Sequence, residues 1–129
     1  DLLAVSHVFT SRYDLSTLSY QMTQGISFDE LYSMHKYDSE EGAIIPDITL
    51  VFDLPVDEAF RRMESRGGTE ECFEKKEFQE KLKENLKFCI EELRKRDGRT
   101  ILIIDANKPI EKVTQEMCNE IDKYLKNKE

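Results

Sequence analysis

The sequence contains few of the residues that build metal clusters and disulfide frameworks. It has three cysteines and two histidines in 129 residues, and no Cys-x-x-Cys pair is among them. An odd number of cysteines without that spacing argues against both a disulfide framework and a zinc site, so we expect reduced thiols and no metal site built by these residues. His7 and His35 are too few and too widely separated to predict a metal cluster, and neither is a strong candidate for catalysis.

Long apolar runs and an excess of positive charge are also missing. No apolar stretch approaches the roughly 18 residues of a membrane span, and the opening residues lack the basic start and the cleavage site of a signal peptide. The formal net charge is −8, which argues against a nucleic-acid polymer as partner and requires any phosphate site to be a local cluster of Arg or Lys. We therefore expect a cytoplasmic protein that binds neither membrane nor nucleic acid.

Apolar patterning predicts an α/β fold. Three short β-rich runs, at 7–10, 48–52 and 100–104, are predicted strands, and the last two are nearly continuous apolar segments that end at Asp53 and Asp105. Such runs are typical of strands buried on both faces of a parallel sheet. Helical segments between them predict right-handed crossovers in a doubly wound parallel sheet, with ligands bound beyond the carboxyl ends of the strands.

Helical periodicity fills the intervals between the predicted strands. Ser27 and Glu30 form a capping box that predicts a helix over 27–37, and a further helix is predicted at 56–66, before two glycines. A long helix is predicted next, with an apolar face made of Phe78, Leu82, Leu86, Cys89, Ile90 and Leu93. Pro109 is expected in the first turn of a last helix, whose inward residues are Ile110, Val113, Met117, Ile121 and Leu125.

Arg12 is the residue that most suggests a binding site. It follows the first predicted strand, and an arginine at the end of a buried strand costs free energy unless it pairs with an anion. Its planar guanidinium matches the geometry of phosphate oxygens. The alternative is an ordinary strand end before a capped helix, in which Arg12 pairs with Asp14 or another carboxylate.

The residues that follow Arg12 carry hydroxyl, amide and aromatic groups at helical spacing. Ser16 and Tyr20 are at i and i+4 on one helix face, with Thr17 and Gln21 one position further along. This combination suits the recognition of a sugar and a base.

Four ordered blocks of sequence resemble the thymidylate kinase family. The segment 10–21, Thr-Ser-Arg-Tyr-Asp-Leu-Ser-Thr-Leu-Ser-Tyr-Gln, is similar to the family signature of Asp-Arg-Tyr or Asp-Arg-His, then Ser-Thr or Ser-Ser, and Ala-Tyr-Gln. Pro-Asp-Ile-Thr and a strand ending in Asp follow at 46–53, Ala-Phe-Arg-Arg and Arg-Gly at 59–67, and Ile-Asp-Ala-Asn-Lys-Pro-Ile-Glu at 104–111. The chain thus resembles the C-terminal part of a thymidylate kinase without its N-terminal phosphate-binding loop.

The resemblance implies a fold, a reaction and partners. The fold is part of a P-loop nucleoside monophosphate kinase, whose first, central strand is absent from this chain. The reaction converts dTMP to dTDP, with ATP as phosphate donor and Mg²⁺ as cofactor. The full-length protein is expected to be a homodimer, to which the helix 27–37 contributes unless its apolar face is core.

The chain divides on this resemblance into the parts of a single partial domain. They are the thymidylate-site strand and helices at 1–38, a strand and helix at 47–66, the lid at 66–74, the long helix at 75–96, and the last strand and helix at 100–126.

The resemblance also assigns roles to residues. Arg12 would hold the thymidylate phosphate, Tyr20 would lie against the deoxyribose, and Arg12 and Arg66 are the catalytic candidates. The residues implied to bind dTMP are Arg12, Ser16, Thr17, Tyr20 and Gln21. Those implied to form the lid are Arg62, Arg66, Glu71 and Glu74. Those implied to line the ATP adenine side are Asn107, Lys108 and Pro109. Without the resemblance, the lid segment is equally well interpreted as a flexible connection between helices.

The sequence departs from the family pattern in three places. It contains no Gly-x-x-x-x-Gly-Lys-[Ser/Thr] loop, so we expect this chain alone not to bind or turn over ATP efficiently. Ser11 replaces the family's Asp, which can help to organise magnesium, and Cys72 stands where the usual lid arginine falls. Loss of a positioned charge slows phosphoryl transfer, unless Arg66, Arg62 or the missing part supplies it.

A parallel sheet without its central strand has unpaired edges on two buried strands. We therefore expect a fragment of a thymidylate kinase or one half of a split assembly; the alternative is that a partner chain fills the gap. Two other functions remain open. One is a non-catalytic kinase-like binding or scaffold module, which Ser11 and Cys72 favour. The other is a different nucleoside or nucleotide kinase of the same fold, against which the run 16–21 argues.

Overall fold

The structure is a computed structural model that describes residues 2–67 and 76–128. After a short 3-10 turn at Leu2–Ala4, its elements are α1 (Asp14–Thr23), α2 (Phe28–His35), β1 (Ile48–Asp53), α3 (Val56–Ser65), α4 (Lys76–Asp97), β2 (Thr100–Asp105) and α5 (Ile110–Asn127). The described part of the chain is therefore α/β, as predicted. None of its helices combines the length and the apolarity of a membrane span.

The two strands pair in parallel and end together. Ile48 lies opposite Thr100, and the register continues to Asp53 opposite Asp105. The Ala106 N–H donates to the Asp53 carbonyl at 2.8 Å, which extends the pairing one residue beyond the ladder. The prediction that these two runs are strands of a parallel sheet is thereby confirmed.

The main core lies between α1, α2, α4 and one face of the sheet. Helix α1 packs along α4, and α4 contacts β2. The buried members of this core are Leu15, Leu18, Phe28, Leu31, Cys89, Ile90, Leu93 and Ile101. Burial of one such leucine contributes about 1.5–3 kcal/mol, so the predicted apolar face of the long helix holds the described elements together.

The sheet is buried on one face at Ile101 and on the other at Ile104, and its remaining residues are half-buried or exposed. Ile101 is 3% exposed and Ile104 is 1% exposed; three residues apart on a strand, they face opposite sides of the sheet. Phe52 and Ile103, however, are about half exposed. The prediction of strands buried on both faces is therefore correct at Ile101 and Ile104 and wrong at these two positions.

The segment 7–10 forms no strand, so the prediction of a first strand there is wrong. Its side chains are exposed. A strand is stabilised by hydrogen bonds to a neighbouring strand, and among the described residues the sheet pairs β1 with β2 alone. Local β propensity without such a partner does not make a strand.

Two predicted helix boundaries need correction. The Ser27 hydroxyl accepts from the Glu30 N–H at 3.3 Å, which confirms the cap of α2, but this helix ends at His35 because Lys36 has a left-handed φ of 51°. Pro109 is the residue before α5 rather than a member of its first turn.

The last helix is less buried than its periodicity predicts. Ile110 is 75% exposed, so its inward prediction is wrong, and the other four predicted inward residues are half-buried. Helix α5 contacts β2, and a two-stranded sheet about 10 Å wide covers only part of a helix face.

Two of the three cysteines lie in the described residues, and both are free thiols. Cys89 is buried in the main core, and burial raises the pKa of its thiol to about 12. Cys118 is exposed on α5. Phe28 and Leu31 of α2 are core residues as well, so this face of the helix does not supply the dimer contact that the resemblance allowed.

Candidate functional site

A groove of about 550 Å³ lies along α1 and the residues that precede it. Its lining includes all five residues predicted to bind the nucleotide, which are Arg12, Ser16, Thr17, Tyr20 and Gln21. Four residues that the sequence did not single out as ligand-binding complete the lining, namely Tyr13, Asp14, His35 and Ala43. The helical spacing of the predicted residues therefore places them around one concave surface.

Arg12 lies at the end of the groove where α1 begins, in a strained backbone conformation. Its φ is 59°, a left-handed value that costs a residue with a side chain about 1 kcal/mol or more and that clusters at ligand sites. Within residues 2–67 and 76–128, the exposed guanidinium makes no hydrogen bond or ion pair. The predicted alternative of an Arg12–Asp14 pair is wrong, because Asp14 bonds to Arg99 instead.

Asp14 is the buried wall of the groove beside Arg12. Its side chain is 2% exposed and that of Arg99 is 1% exposed. Arg99 Nη1 donates to Asp14 Oδ2 at 2.6 Å, and the Tyr37 hydroxyl donates to the same oxygen at 2.7 Å. The Leu15 N–H donates to Oδ1 at 2.8 Å. Both carboxylate oxygens are thus satisfied, which is what a buried charge requires.

Arg99 joins Asp14 to a second carboxylate. Its Nε and Nη2 donate to the two oxygens of Asp97 at 2.9 and 2.8 Å, and the Tyr32 hydroxyl donates to Asp97 at 3.2 Å. Burial lowers the pKa of Arg99, but its hydrogen bonds to Asp97 and Asp14 outweigh this and raise it above its ordinary value. Arg99 is therefore a permanent cation in this network.

The Tyr37 ring connects the network to α2 and the groove. The Arg99 guanidinium lies 5.1 Å from the Tyr37 ring centroid. Burial, followed by the hydrogen bond to Asp14, raises the pKa of the Tyr37 hydroxyl well above 10, so it remains a donor. His35 stacks on the same ring at 5.2 Å.

His35 has a fixed proton position and lines the groove. Its Nδ1 lies 2.8 Å from the Leu31 carbonyl oxygen; since a carbonyl only accepts, Nδ1 carries the proton and Nε2 is an acceptor in the neutral ring. A second groove of about 600 Å³ continues from the first. The two share His35, Thr17, Gln21 and Ala43.

The α1 side chains in the groove differ in how firmly they are held. Tyr20 is 45% exposed, and its ring meets Phe78 edge to face at 5.5 Å, which leaves part of the ring open. Thr17 Oγ1 lies 3.5 Å from the Tyr13 carbonyl oxygen, a weak hydrogen bond. The side chains of Ser16 and Gln21 have no hydrogen-bond partner in the described chain, so their polar groups are available to a ligand.

A separate polar cluster lies at the carboxyl ends of the strands. Arg62 Nη2 donates to the Ala106 carbonyl at 3.3 Å and pairs with Glu58 at 3.1 Å, which joins α3 to the loop after β2. Hydrogen bonds from Arg61 and then Arg62 lower the pKa of Glu58 to about 2. Lys83, on α4, forms an ion pair with Asp53, with 3.1 Å between Nζ and Oδ1.

The predicted ATP-side residues belong to this second cluster rather than to the groove. The Asn107 N–H donates to Asp105 Oδ1 at 2.8 Å, which closes a tight turn after β2. Lys108 pairs with Glu116 at 3.3 Å, and Pro109 precedes α5. Arg66 is exposed at the end of α3. The predicted lid residues Glu71 and Glu74, and Cys72, lie outside the described residues.

The carboxylates described here do not form a metal site. No group of three His, Cys, Asp or Glu residues in the described part of the chain could hold a metal ion. Asp14, the acidic residue in the groove lining, uses both oxygens for Leu15, Tyr37 and Arg99. The described residues therefore supply no complete metal site of their own, and a Mg²⁺ ion would take further ligands from a bound substrate.

Arg99 is the residue that sequence reasoning missed most clearly. It directly precedes a buried strand, at Asp97-Gly98-Arg99. The rule applied to Arg12, that an arginine at the end of a buried strand needs an anion, applies equally to an arginine at its start. That rule would have predicted a buried carboxylate partner, although not which one.

Comparison with known proteins gives consistent matches. The family model described as thymidylate kinase matches residues 1–117. The chain is 40% identical over 122 residues to a probable thymidylate kinase of Methanococcus maripaludis strain S2, a match that covers 90% of this chain and 56% of that protein. A protein of the same description from Methanosphaera stadtmanae is 32% identical over 119 residues, which are 92% of this chain and 54% of that protein.

A shorter match is to a probable thymidylate kinase of Methanococcus vannielii, 45% identical over 83 residues, 64% of this chain and 38% of that protein. The chain thus spans about half the length of the curated relatives that it matches. No solved structure matches the chain significantly.

Proposed function

The chain belongs to the thymidylate kinase family, and we propose that it forms the thymidylate side of an enzyme that transfers the γ-phosphoryl group of ATP to dTMP and yields dTDP. The observation that carries this proposal is the single groove that Arg12, Ser16, Thr17, Tyr20 and Gln21 line together. It offers a cation, hydroxyls, an amide and an aromatic ring to one ligand.

In this proposal, Arg12 binds the phosphate of dTMP. Its guanidinium is exposed and unpaired among the described residues, and a planar fork of N–H donors binds phosphate in two places at once. The left-handed backbone at Arg12 supports the assignment, because strain of this kind is kept where a side chain has to be held for a ligand.

Tyr20 then lies against the deoxyribose, and Thr17 and Gln21 lie near the base. The open part of the Tyr20 ring and the unpaired Gln21 amide suit these roles. Ser16 supports the turn between the phosphate and sugar positions. These side chains position the acceptor, and positioning together with charge neutralisation is most of what a phosphoryl-transfer enzyme contributes.

ATP binds, in this proposal, at the carboxyl ends of the strands. Asn107, Lys108 and Pro109 line the adenine side, and the contact of Arg62 with the Ala106 carbonyl supports a link between the loop after β2 and α3, the helix that leads into the lid segment. Arg66 is a catalytic candidate that approaches the transferring phosphoryl group when the lid segment, which also contains Glu71 and Glu74, closes.

The remaining features are proposed for the whole protein. The enzyme has the P-loop nucleoside monophosphate kinase fold, with β1 and β2 as two strands of its parallel sheet. The 129 residues contain no Gly-x-x-x-x-Gly-Lys-[Ser/Thr] loop, and the central strand of that fold is proposed to come from outside them. Mg²⁺ accompanies ATP as the cofactor, the protein acts in the cytoplasm, and two copies form a homodimer.

Calorimetric titration of the protein at its natural length with dTMP tests the phosphate assignment. Replacement of Arg12 by Ala is expected to weaken dTMP binding about tenfold or more, because it removes charge-assisted hydrogen bonds to the phosphate. Arg61→Ala is the matched control, since Arg61 is a surface arginine outside the groove, and it should leave the affinity unchanged. An Arg12→Ala variant with unchanged affinity would refute the assignment.

Two other functions were left open by the sequence: a non-catalytic binding or scaffold module, and another nucleoside or nucleotide kinase of the same fold. The matches to thymidylate kinases favour neither. Turnover and acceptor preference decide between these and the proposal.

A further inference from the structure

We propose that Arg99 is a positioning residue for the phosphate end of the groove, acting through Asp14 on Arg12. This inference rests on the proposed function, because it takes the anion held by Arg12 to be the nucleotide phosphate. Arg99 itself is not a ligand-binding residue, since its side chain is only 1% exposed.

The position of Asp14 in the chain couples it to Arg12. It is the first residue of α1 and follows Arg12 by two positions. Residues 3–13 are exposed, so Asp14 is the first buried residue after the strained Arg12. Tyr13, which caps α1, makes no side-chain capping hydrogen bond. The start of α1 is therefore held through Asp14.

A buried hydrogen-bond network holds the Asp14 carboxylate. Arg99 Nη1 and the Tyr37 hydroxyl meet at the same Asp14 oxygen, at 2.6 and 2.7 Å. Arg99 is in turn held by two hydrogen bonds to Asp97. A planar guanidinium with three of its N–H groups bound has one orientation, so Asp14 has one as well. A residue with a left-handed backbone, such as Arg12, persists only where the surrounding structure holds it. This network holds Asp14, which follows Arg12 by two positions.

Arg99 also neutralises the charge of Asp14. Asp14 lines the same groove as Arg12, and an uncompensated carboxylate there would repel a phosphate. Arg99 supplies the opposing charge at hydrogen-bond distance, in a buried setting where solvent screens it little. Loss of Arg99 would therefore misplace Arg12 and also add a repulsive charge beside the phosphate.

The ratio of the affinity for dTMP to the affinity for thymidine separates this role from a purely structural one. The two ligands differ only in the phosphate, so a general loss of stability or groove shape affects both alike, whereas a misplaced Arg12 weakens only dTMP. Titration of the natural-length protein should show that Arg12→Ala lowers this ratio strongly. Arg99→Lys keeps the positive charge and loses the planar fork of donors. It should lower this ratio about tenfold, as expected when a misplaced Arg12 loses one charge-assisted hydrogen bond to the phosphate.

Three further variants complete the experiment. Tyr37→Phe removes one hydrogen bond to Asp14 and should lower the ratio a few-fold. Arg61→Lys is the matched control, because Arg61 pairs with Glu58 on the surface of α3, away from the groove lining and the Arg99 network, and it should keep the wild-type ratio. In a background of Arg12→Ala, Arg99→Lys should change the ratio no further, since the effect passes through Arg12.

The outcomes distinguish the two proposals. If Arg12→Ala leaves the ratio unchanged, the proposed phosphate site itself is wrong. If Arg12→Ala lowers the ratio but Arg99→Lys and Tyr37→Phe do not, the positioning role of Arg99 is overturned. An equal effect of Arg99→Lys with and without Arg12 overturns it too. Should Arg99→Lys fail to fold, Tyr37→Phe decides alone, and an unchanged ratio contradicts the inference.

Discussion

At the residue scale, the carboxylate of Asp97 couples the buried network to pH. Burial acts to raise the pKa of Asp97, but hydrogen bonds and charge from Arg99 outweigh it, and the pKa is lowered from its ordinary 3.8. A carboxylate with a lowered pKa stabilises the folded state above its unfolded pKa. That contribution is lost as the pH falls from about 3.8 through the folded value.

We therefore expect Asp97→Asn to reduce the pH dependence of stability. The measurement is the free energy of urea unfolding at about pH 6 and about pH 3, where the wild-type protein should lose more stability than the variant on acidification. Asp122→Asn is the control, because Asp122 is exposed on α5 and should keep the wild-type pH dependence. An Asp97→Asn variant whose stability falls as steeply as that of the wild type would contradict the ion pair.

Single residues also show what the sequence could predict about the site. The positions of the ligand-binding candidates along α1 follow from helical spacing, and the five predicted residues do share one groove. The partner of Asp14 does not follow from spacing, because Arg99 lies 85 residues away in the chain. A contact between distant segments depends on how α1 and β2 pack against α4, which local patterns do not contain. The roles of the groove residues remain predictions.

At the element scale, α2 depends on its first hydrogen bond. Ser27 caps this eight-residue helix through the Glu30 N–H, and the helix carries Phe28 and Leu31 into the main core. Replacement of Ser27 by Ala should lower the free energy of unfolding by about 1 kcal/mol, the usual value of a serine cap.

Ser33→Ala provides the matched control for that prediction. Ser33 is exposed within the same helix, so its replacement should change stability by less than about 0.5 kcal/mol. Urea unfolding of the two variants compares them directly. Equal effects of the two substitutions would show that the cap does not stabilise α2.

The elements that the sequence predicted best are those with a long, unbroken pattern. The long helix was predicted at 75–96 and is described as Lys76–Asp97, and the two apolar strands lie where their runs occur. The prediction of a strand at 7–10 was wrong because four β-prone residues do not specify which strand they pair with. The position of α5 was predicted correctly, but the burial of Ile110 was not. Helical periodicity shows which face of a helix is apolar, but not how much of that face the neighbouring elements cover.

At the scale of the whole molecule, the described residues contain two separate groups of polar side chains. One is the α1 groove with Arg12, and the other is the strand-end cluster where Arg62 meets Ala106. They share no residue. A phosphoryl transfer needs an acceptor and a donor held in line from separate sites, and this separation agrees with the proposed function.

The four ordered blocks allowed the family to be recognised from the sequence, because each one is a short local motif. The fold around them was less accessible. The register of β1 against β2 and the buried Arg99 network join segments about 50 and 85 residues apart, and such pairings depend on the packing of all the elements together.

The most direct test of the central claim is an assay of the protein at its natural length with ATP, Mg²⁺ and dTMP, in which dTDP is measured by chromatography. We expect dTDP to form, dTMP to be preferred over AMP and GMP as acceptor, and Arg12→Ala to lower kcat/KM about a hundredfold through the loss of positioned charge. Absence of dTDP would indicate a non-catalytic module, and a preference for AMP or GMP would indicate a different kinase; either result would contradict the account.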